Sequence, residues 1–243
     1  SDCSERYPPG GETDGFLEDA AMEVFTHLTQ SQWDPLQMLA ALQQSADEQR
    51  IYLAFTDPAA QALAVEFGLD GALPADNATQ TQVGIYLNDS SVGKLEYHLG
   101  TTVAATCDPA ARTITTTMTL HNGVTDDITS GYTLGGRNGR FGLDRTTMML
   151  DVLFFAPPGA QITQTVPGRG EVARWERSGA EKGSTAVSKT VFVDKGETET
   201  VSFTVALPAG DLGPLHLRYS PTASATPVTT DASCSALFPA APD

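Results

Sequence analysis

The polar residues that could do chemistry are concentrated in one short stretch of the chain, LNDSSVGKLEYHLG, at residues 87–100. It contains Asn88, Lys94, Glu96 and Tyr97. An amide, an ammonium, a carboxylate and a phenol that converge can hold a polar ligand, and a lysine beside a carboxylate can also move protons. The alternative is a β-hairpin in which Asn88 shapes the turn and Lys94 pairs with a carboxylate at the surface.

A second candidate site is the glycine-rich segment 122–145, which carries Arg137, Arg140 and Arg145. A loop of this length inside a compact domain is usually functional or mobile. No strand leads into its GGRNGRFG sequence and no helix follows it, so the pattern favours a mobile loop over a phosphate cradle. Three cations in a chain of net charge -16 could instead meet an anionic polymer.

Several familiar chemistries lack the residues that they require. The four histidines share no metal spacing, no CxxC occurs, and HExxH, GxSxG and the Walker P-loop are all absent. The SxxK match from Ser91 to Lys94 falls in a predicted turn, without the helix that would bring lysine beside serine. We therefore predict no catalytic residue, no cofactor and no metal site. Calcium bound by oxygens of the loop 122–145 is a minor alternative, since no EF-hand pattern is present.

The charge balance excludes some partners. The chain of 243 residues has 30 acidic and 14 basic residues, whereas nucleic-acid binding depends on lysine and arginine that neutralise phosphates. No window approaches the roughly 18 apolar residues of a membrane span, so we predict no membrane insertion by this fragment. The chain opens at Ser1-Asp2-Cys3 in a loop-like sequence, which suggests a piece of a longer precursor. The oligomeric state stays open.

Three cysteines, Cys3, Cys107 and Cys234, lie far apart in the sequence and allow three pairings. Cys107 ends a predicted strand, and Cys234 lies in a tail that has no other means of docking. These positions favour a Cys107–Cys234 disulfide, with Cys3 free or paired upstream. Three reduced thiols are the alternative.

The hydrophobic period changes from helical to strand-like near residue 82. Helices are predicted at 16–29, at 34–49 with Asp34 as N-cap and Pro35 at N1, and at 58–67, with a short strand at 51–55. In the first helix the apolar residues share one face; they are Leu17, Ala21, Val24, Phe25 and Leu28. The second helix is predicted to bury Leu36, Leu39, Ala40 and Leu42.

Beyond residue 82, short strands separated by turn residues predict a sandwich. In 112–120 the alternation puts Ile114, Thr116, Met118 and Leu120 on one face. Residues 83–107 are predicted to form a hairpin and a third strand that carry the sheet from one part of the chain into the next. The later strands are predicted at 146–156, 160–166, 170–176, 186–194, 197–206 and 214–220.

The predicted fold class is α+β, with a small helical α/β part followed by an antiparallel immunoglobulin-like β-sandwich. The predicted divisions are an irregular segment at 1–13, the α/β part at 14–100 with its N-terminus truncated, the sandwich at 101–220, and an extended strap or linker at 221–243.

Two segments of the chain resemble a known family. They are DEQRIYLAFTDPAAQALAVEFGLDGALPAD and VGIYLNDSSVGKLEYHL, and they resemble the C-terminal half of domain-of-unknown-function family 4012, whose members are envelope proteins of Gram-positive bacteria, chiefly actinobacteria. The resemblance covers most of residues 7–165. The positions that fit its pattern are Gln61, Gly71, Gly84, Tyr86, Asn88, Lys94, Tyr97 and Leu99, whereas Glu96 replaces an aspartate and His98 a tyrosine.

This resemblance implies an exported, envelope-associated protein that is tethered through an upstream membrane segment, and it implies no established activity. Our first hypothesis is a binding or structural surface module that presents the loop 122–145 to a cell-wall polymer or a surface protein. The alternative is part of an enzyme of cell-envelope glycopolymer assembly, with Asn88, Lys94 and Glu96 lining its site. Convergence of those three side chains in one cleft would favour the enzyme.

Overall fold

The structure is a computed structural model that describes residues 13–30, 34–125, 128, 130–166 and 177–240. The chain divides into two compact units between Ser45 and Ala46. The predictions for Cys3, for the segment 1–12 and for a strand at 170–176 lie outside the described residues.

Three helices precede the sheets: α1 at Thr13–Gln30, α2 at Pro35–Asp47 and α3 at Pro58–Glu66. The backbone amides of Leu36 and Gln37 donate to the Asp34 carboxylate at 2.9 and 3.2 Å, so the predicted N-cap and the proline at N1 are confirmed. Asp57 caps α3 in the same way, through the amide of Ala60 at 2.9 Å.

The predicted burial of the second helix is wrong. Leu36 of α2 is 77% exposed, and α2 has no buried residue. The other positions predicted to be buried there, Leu39, Ala40 and Leu42, are exposed too. The apolar face of α1 is likewise exposed, with Val24 at 59%. Helical spacing of apolar residues gives a helix one side that it can bury, but the spacing does not supply the surface that covers it.

The predicted strand at 51–55 is also absent. This segment has no ladder partner among the described residues, and its backbone bonds include Leu53 N–H donating to the Leu69 carbonyl at 2.8 Å. A run of β-branched and aromatic residues favours an extended backbone, but a strand also needs a neighbouring strand to pair with.

The described residues of the larger unit contain ten strands. They are β1 Thr81–Asp89, β2 Leu99–Asp108, β3 Thr113–Asn122, β4 Met148–Phe155, β5 Gln161–Val166, β6 Arg177–Glu181, β7 Ser184–Val193, β8 Thr198–Ala206, β9 Leu215–Tyr219 and β10 Val228–Thr230. The first sheet has the order β6-β7-β4-β1-β9, and the second has the order β10-β2-β3-β8-β5.

Both sheets are mixed, which corrects the prediction of antiparallel sheets. β9 runs parallel to β1, and β10 runs parallel to β2, whereas the other pairs are antiparallel. Each parallel strand is an edge strand that arrives after a long connection and not through a hairpin. Helices with two five-stranded sheets make the fold class α+β, as predicted.

The two sheets pack face to face over one apolar core. Phe154 of β4 and Phe203 of β8 stack with ring centroids 4.6 Å apart, and both are fully buried. The predicted inward face of β3 is confirmed, because Ile114, Thr116, Met118 and Leu120 each have no exposed area. Period-two alternation therefore identified one wall of the core correctly.

The connection from β1 to β2 carries the chain from the first sheet into the second. The stretch 83–107 therefore links two separate sheets, whereas the prediction had one sheet continuing through it, and its middle is not a hairpin. Residues 90–94 form a bend, and a 3-10 turn follows at Leu95–His98. Since β1 is a central strand of the first sheet, the predicted division at residue 100 falls inside the sheet-forming unit.

The C-terminal strap is docked on the second sheet. A disulfide joins Cys107 to Cys234, which confirms the predicted pairing. β10 pairs with β2 over three residues. A 3-10 turn follows at Ala232–Ala236, and its Cys234 side chain is buried in the core. Further along, Phe238 is also buried, so the tail adds to the core and does not run freely across the surface.

Within the segment 122–145, residues 130–145 are more ordered than a mobile loop. It contains a helical turn, α4, at Gly131–Leu134 and a 3-10 turn at Asn138–Phe141, and Leu134 joins the core. The buried Asn138 amide donates to the carbonyl oxygens of Asp144, Arg145 and Thr147 at 3.2, 3.3 and 2.5 Å. One amide that bonds three carbonyls holds this segment in a fixed shape.

Candidate functional site

A cleft of about 500 Å³ lies where β1 ends. It is formed by the last residues of β1, the 3-10 turn at Leu95–His98 and the segment 220–223 that follows β9. The four polar residues selected from the sequence, Asn88, Lys94, Glu96 and Tyr97, all line it. These side chains therefore converge on one cleft. The alternation of a β-hairpin would instead have directed neighbouring side chains to opposite faces of the sheet.

The bend that brings them together is built on Asp89. One carboxylate oxygen accepts hydrogen bonds from the Ser91 amide at 2.8 Å and the Ser91 hydroxyl at 2.6 Å, and the other accepts from the Gly93 amide at 2.8 Å. A β-carbon at Gly93 would lie 2.9 Å from the Thr133 carbonyl oxygen, so this position requires glycine. The Lys94 amide donates to that same carbonyl at 2.8 Å and ties the bend to α4.

The bend is also anchored to the sheet beneath it. The Ser90 hydroxyl donates to the buried Asp151 carboxylate at 2.6 Å, and the Thr190 hydroxyl donates to its other oxygen at 2.5 Å. Asp151 and Asn88 are register partners on β4 and β1. A polar network that is satisfied in this way fixes the turn relative to the strands and pre-organises the cleft.

Two carboxyl groups face one another in the cleft, and they set its electrostatics. Burial raises the pKa of Glu96, and the neighbouring Asp89 raises it further through its negative charge and by accepting a hydrogen bond from the protonated carboxyl. The backbone amide of Glu96 and the charge of Lys94 act in the opposite direction. The Glu96 carboxyl therefore keeps its proton, which it shares with Asp89, to a higher pH than an ordinary glutamate does.

The raised pKa predicts how stability should depend on pH. The folded state holds the Glu96 proton more tightly than the unfolded state, so this group stabilises the fold fully below its ordinary pKa of 4.5. That contribution is lost as the pH rises through the folded pKa. Because glutamine mimics the protonated acid, we expect Glu96→Gln to be more stable than the wild type at pH 7 and to lose this advantage towards pH 5.

Urea unfolding of both proteins between pH 5 and pH 8 measures this difference. Glu181→Gln on the exposed strand β6 is the matched control, and its stability relative to the wild type should not change with pH in that range. A Glu96→Gln advantage that stays constant from pH 5 to pH 8 would contradict the proton-sharing arrangement with Asp89.

Tyr97 provides an apolar platform at the edge of the cleft. It is 74% exposed, and its ring packs edge to face against His98 with centroids 5.3 Å apart. Asn88 and Lys94 are also exposed, so their amide and ammonium groups are available to a ligand from solvent. An exposed aromatic ring beside amide, ammonium and carboxyl groups is suited to polar ligands that also have an apolar face.

The three arginines of the segment 122–145 do not line this cleft. Arg137 lies beside it, because its side chain donates to the Ser90 carbonyl at 3.2 Å and its amide donates to the Ser91 carbonyl at 3.3 Å. Arg140 and Arg145 are exposed. Of the three arginines, Arg137 thus contacts the bend that positions the polar cluster, while Asp126 and Asp127 of the same segment lie outside the described residues.

Sequence reasoning missed two parts of the cleft. It assigned no role to Asp89, although an aspartate followed by serine two positions later and glycine four positions later is typical of a side-chain-capped turn. It also missed the wall made by Ser220–Ala223, because that segment follows a strand more than 120 residues away in the chain. No local sequence signal connects 220–223 with β1.

The described part of the chain contains no group of three or more histidine, cysteine, aspartate or glutamate side chains that could hold a metal ion. No helix within these residues is long and apolar enough to cross a bilayer. A scan against protein-family models and a search of curated proteins find no match to this chain.

Proposed function

We propose that this protein is a non-catalytic module of a bacterial cell envelope that binds a hydroxyl-rich wall polymer. The observation that carries the proposal is the exposed ring of Tyr97 at the edge of a cleft of about 500 Å³, which Asn88, Lys94 and Glu96 also line. Sites for small ligands have volumes of about 300–1,000 Å³, so this cleft can hold a short segment of a polymer.

The chemistry of the lining supports a saccharide ligand. A sugar ring has an apolar C–H face that can pack on an aromatic ring, and Tyr97 offers such a ring to solvent. Its hydroxyl groups both donate and accept hydrogen bonds, and Asn88 can do the same. Lys94 supplies donors and the carboxyl groups of Asp89 and Glu96 supply acceptors, so both roles of a hydroxyl find partners.

The neighbouring arginines support a polymer that carries negative charge. Arg137, Arg140 and Arg145 are exposed in one segment of a chain whose net charge is -16. Arg137 lies beside the cleft. A bound anionic polymer that extends from the cleft towards Arg137 would therefore meet a local positive charge. The remaining acidic surface would repel the same polymer, which would favour one orientation of binding.

Two further observations support a place outside the cytoplasm. Disulfides persist mainly in oxidising compartments, and Cys107 is bridged to Cys234. The resemblance of most of residues 7–165 to family 4012 further implies that the protein belongs to a Gram-positive cell envelope. It also implies that an upstream segment tethers the protein to the membrane. An immunoglobulin-like sandwich would suit such a module, and the two packed sheets support that finer fold assignment.

The test is a sedimentation assay with insoluble, peptidoglycan-linked glycopolymer from a Gram-positive cell wall. We expect the wild type to bind and Tyr97→Ala to bind about fivefold to tenfold more weakly, since stacking on an aromatic ring is worth about 1 kcal/mol. Charge reversal at Arg137, Arg140 and Arg145 should weaken binding further, and this arginine-dependent part should disappear at high salt.

Phe25→Ala is the matched control, because Phe25 is 62% exposed and lies on α1, away from the sequence that forms the cleft. This variant should bind as the wild type does. The proposal fails if the wild type does not sediment with the polymer, or if neither the tyrosine nor the arginine variant changes binding.

A second candidate function is an enzyme of glycopolymer assembly, or a part of one. The observations in its favour are that Asn88, Lys94 and Glu96 line one cleft and that the pKa of Glu96 is raised, as suits a general acid. In that case Glu96 would donate its proton to a leaving oxygen. Incubating the polymer with the wild type and, separately, with Glu96→Gln, followed by mass spectrometry, distinguishes the two candidate functions. Products that the wild type releases and Glu96→Gln does not would show that the protein is an enzyme.

A further inference from the structure

A larger cavity of about 850 Å³ lies elsewhere in the sheet-forming unit, at the edge of the first sheet. Gln82 of β1 and the residues His216 and Arg218 of β9 line it from the sheet. The rest of the lining comes from the segments 46–52, 65–76 and 79–80. None of these residues belongs to the cleft at the end of β1, and no sequence pattern selected them.

The most unusual residue of this cavity is Arg218, a guanidinium that is only 5% exposed. Among the described residues no carboxylate forms an ion pair with it. Its contacts are the ring of Tyr52, whose centroid lies 4.8 Å from the guanidinium carbon, and a long bond of 3.5 Å to the Ala72 carbonyl. Its Nε–H has no hydrogen-bond partner within the described chain.

A buried charge without a counterion is costly, because the protein has removed its water without replacing it. Contact with the face of Tyr52 offsets part of this cost but satisfies none of the five N–H donors. Gln82 adds a second unsatisfied group to the same lining, since it is 3% exposed and its Nε2 has no partner in the described residues. Two buried donors at one cavity indicate that acceptor oxygens belong there.

The strand beside Arg218 leaves room for a second aromatic ring. Arg218 is the register partner of Gly84, where a β-carbon would lie 2.6 Å from the ring of Tyr86. The absence of a side chain at Gly84 therefore makes room for the Tyr86 ring. Arg218 also lies close enough to Tyr86 to lower its pKa, against the larger effect of burial, which raises it.

The remaining walls of the cavity have the opposite charge. Asp47, Glu66, Asp70 and Asp76 line it, and among the described residues none of the four forms an ion pair. A ligand with only negative charge would meet Arg218 favourably and these four carboxylates unfavourably. A ligand with only positive charge would leave Arg218 without a partner.

We propose that this cavity binds a small zwitterion of the amino-acid or short-peptide type, whose carboxylate pairs with Arg218 and whose ammonium group faces the acidic side chains. Arginine recognises a planar carboxylate through two parallel hydrogen bonds, which lysine cannot supply. A volume of about 850 Å³ is ample for a dipeptide and lies within the usual range for ligand sites.

The experiment is calorimetric titration of the full chain with alanyl-alanine, acetate, methylammonium and inorganic phosphate as separate probes. Alanyl-alanine should bind saturably and at least about tenfold more tightly than acetate or methylammonium alone. Acetate can pair only with Arg218 and methylammonium only with the acidic side chains, whereas the dipeptide makes both contacts. The proposal is overturned if alanyl-alanine shows no saturable binding up to about 10 mM, or if phosphate binds as tightly as the dipeptide.

Two sets of variants test separately the part of the site proposed to bind the carboxylate and the part proposed to bind the ammonium group. Arg218→Met should weaken alanyl-alanine at least about tenfold, and Arg218→Lys should restore little, because it keeps the charge but loses the planar fork. The double variant Glu66→Gln/Asp70→Asn changes only exposed or partly exposed side chains, so it can test the site even if Arg218→Met does not fold. This double variant should bind alanyl-alanine more weakly than the wild type does, with an affinity close to that for acetate.

Two controls complete the design. Glu181→Gln removes an exposed carboxylate that does not line the cavity, and it should leave alanyl-alanine affinity unchanged. Tyr97→Ala should also leave it unchanged, since Tyr97 lines the other cleft. If Arg218 serves only to pack Tyr52, then neither the arginine nor the acidic variants will alter dipeptide binding, and the proposal is overturned.

Discussion

Replacing Cys107 and Cys234 together with alanine should lower the free energy of unfolding by about 2–5 kcal/mol. The disulfide joins residues that are 127 positions apart, and a bridge that closes a long loop restricts the unfolded chain most. Alanine is the better replacement at Cys234, which is 2% exposed, because a serine there would bury a hydroxyl group. Urea unfolding under non-reducing conditions measures the loss.

The same bridge should hold the strap. The β10 ladder comprises only three register pairs, and all three residues of β10 are exposed. Limited proteolysis of the double alanine variant should therefore cut the segment after Ser220 faster than it does in the wild type. Cys3→Ala is the matched control and should change neither measurement. A double variant within about 0.5 kcal/mol of the wild type would contradict a structural role for this disulfide.

The parts of the fold that could be predicted from sequence are those with a strong local signal. Alternation in β3 identified a buried face, and Asp34-Pro35 and Asp57-Pro58 identified two helix starts. The direction of edge strands had no such signal. Whether β9 runs parallel or antiparallel to β1 depends on how a connection of many residues returns to the sheet, and hydrophobic spacing is the same in both cases.

Burial of the first two helices could not be predicted for a related reason. A hydrophobic stripe such as Leu36 and Leu39 on α2 states which side of a helix prefers to leave water, but another surface must be present to cover it. By contrast, the Cys107–Cys234 pairing followed from one local argument, that a tail rich in proline and alanine has little else to hold it. That argument needed no knowledge of the topology.

The candidate site was predictable in its residue types but not in its geometry. Asn88, Lys94, Glu96 and Tyr97 were found by composition, yet the sequence suggested a hairpin in which their directions would alternate. Asp89 replaces that hairpin with a bend, because its carboxylate satisfies amides that a strand would have paired with a neighbour. Arg218 was missed altogether, since a lone arginine in a strand has no spacing to detect.

Replacing Phe203 with alanine should have a comparable effect, a loss of about 3–5 kcal/mol in the free energy of unfolding. Phe203 is fully buried and stacks on Phe154 of the opposite sheet, so truncation removes apolar contact from both sheets at once and leaves a cavity between them. Because domains are typically stable by only about 5–15 kcal/mol, this loss is a large part of the total.

Urea unfolding gives the test, and the shift should appear in the midpoint while the dependence on urea concentration stays the same. Phe67→Ala is the matched control, because it removes the same atoms from a ring that is 71% exposed, and it should change stability by no more than about 0.5 kcal/mol. If both phenylalanine variants lose the same stability, then Phe203 does not lie between two packed sheets. β8 carries Phe203, and β4 carries both Phe154 and the Asp151 anchor of the bend, so the core tested by this variant is the one that packs beneath the strand supporting the cleft.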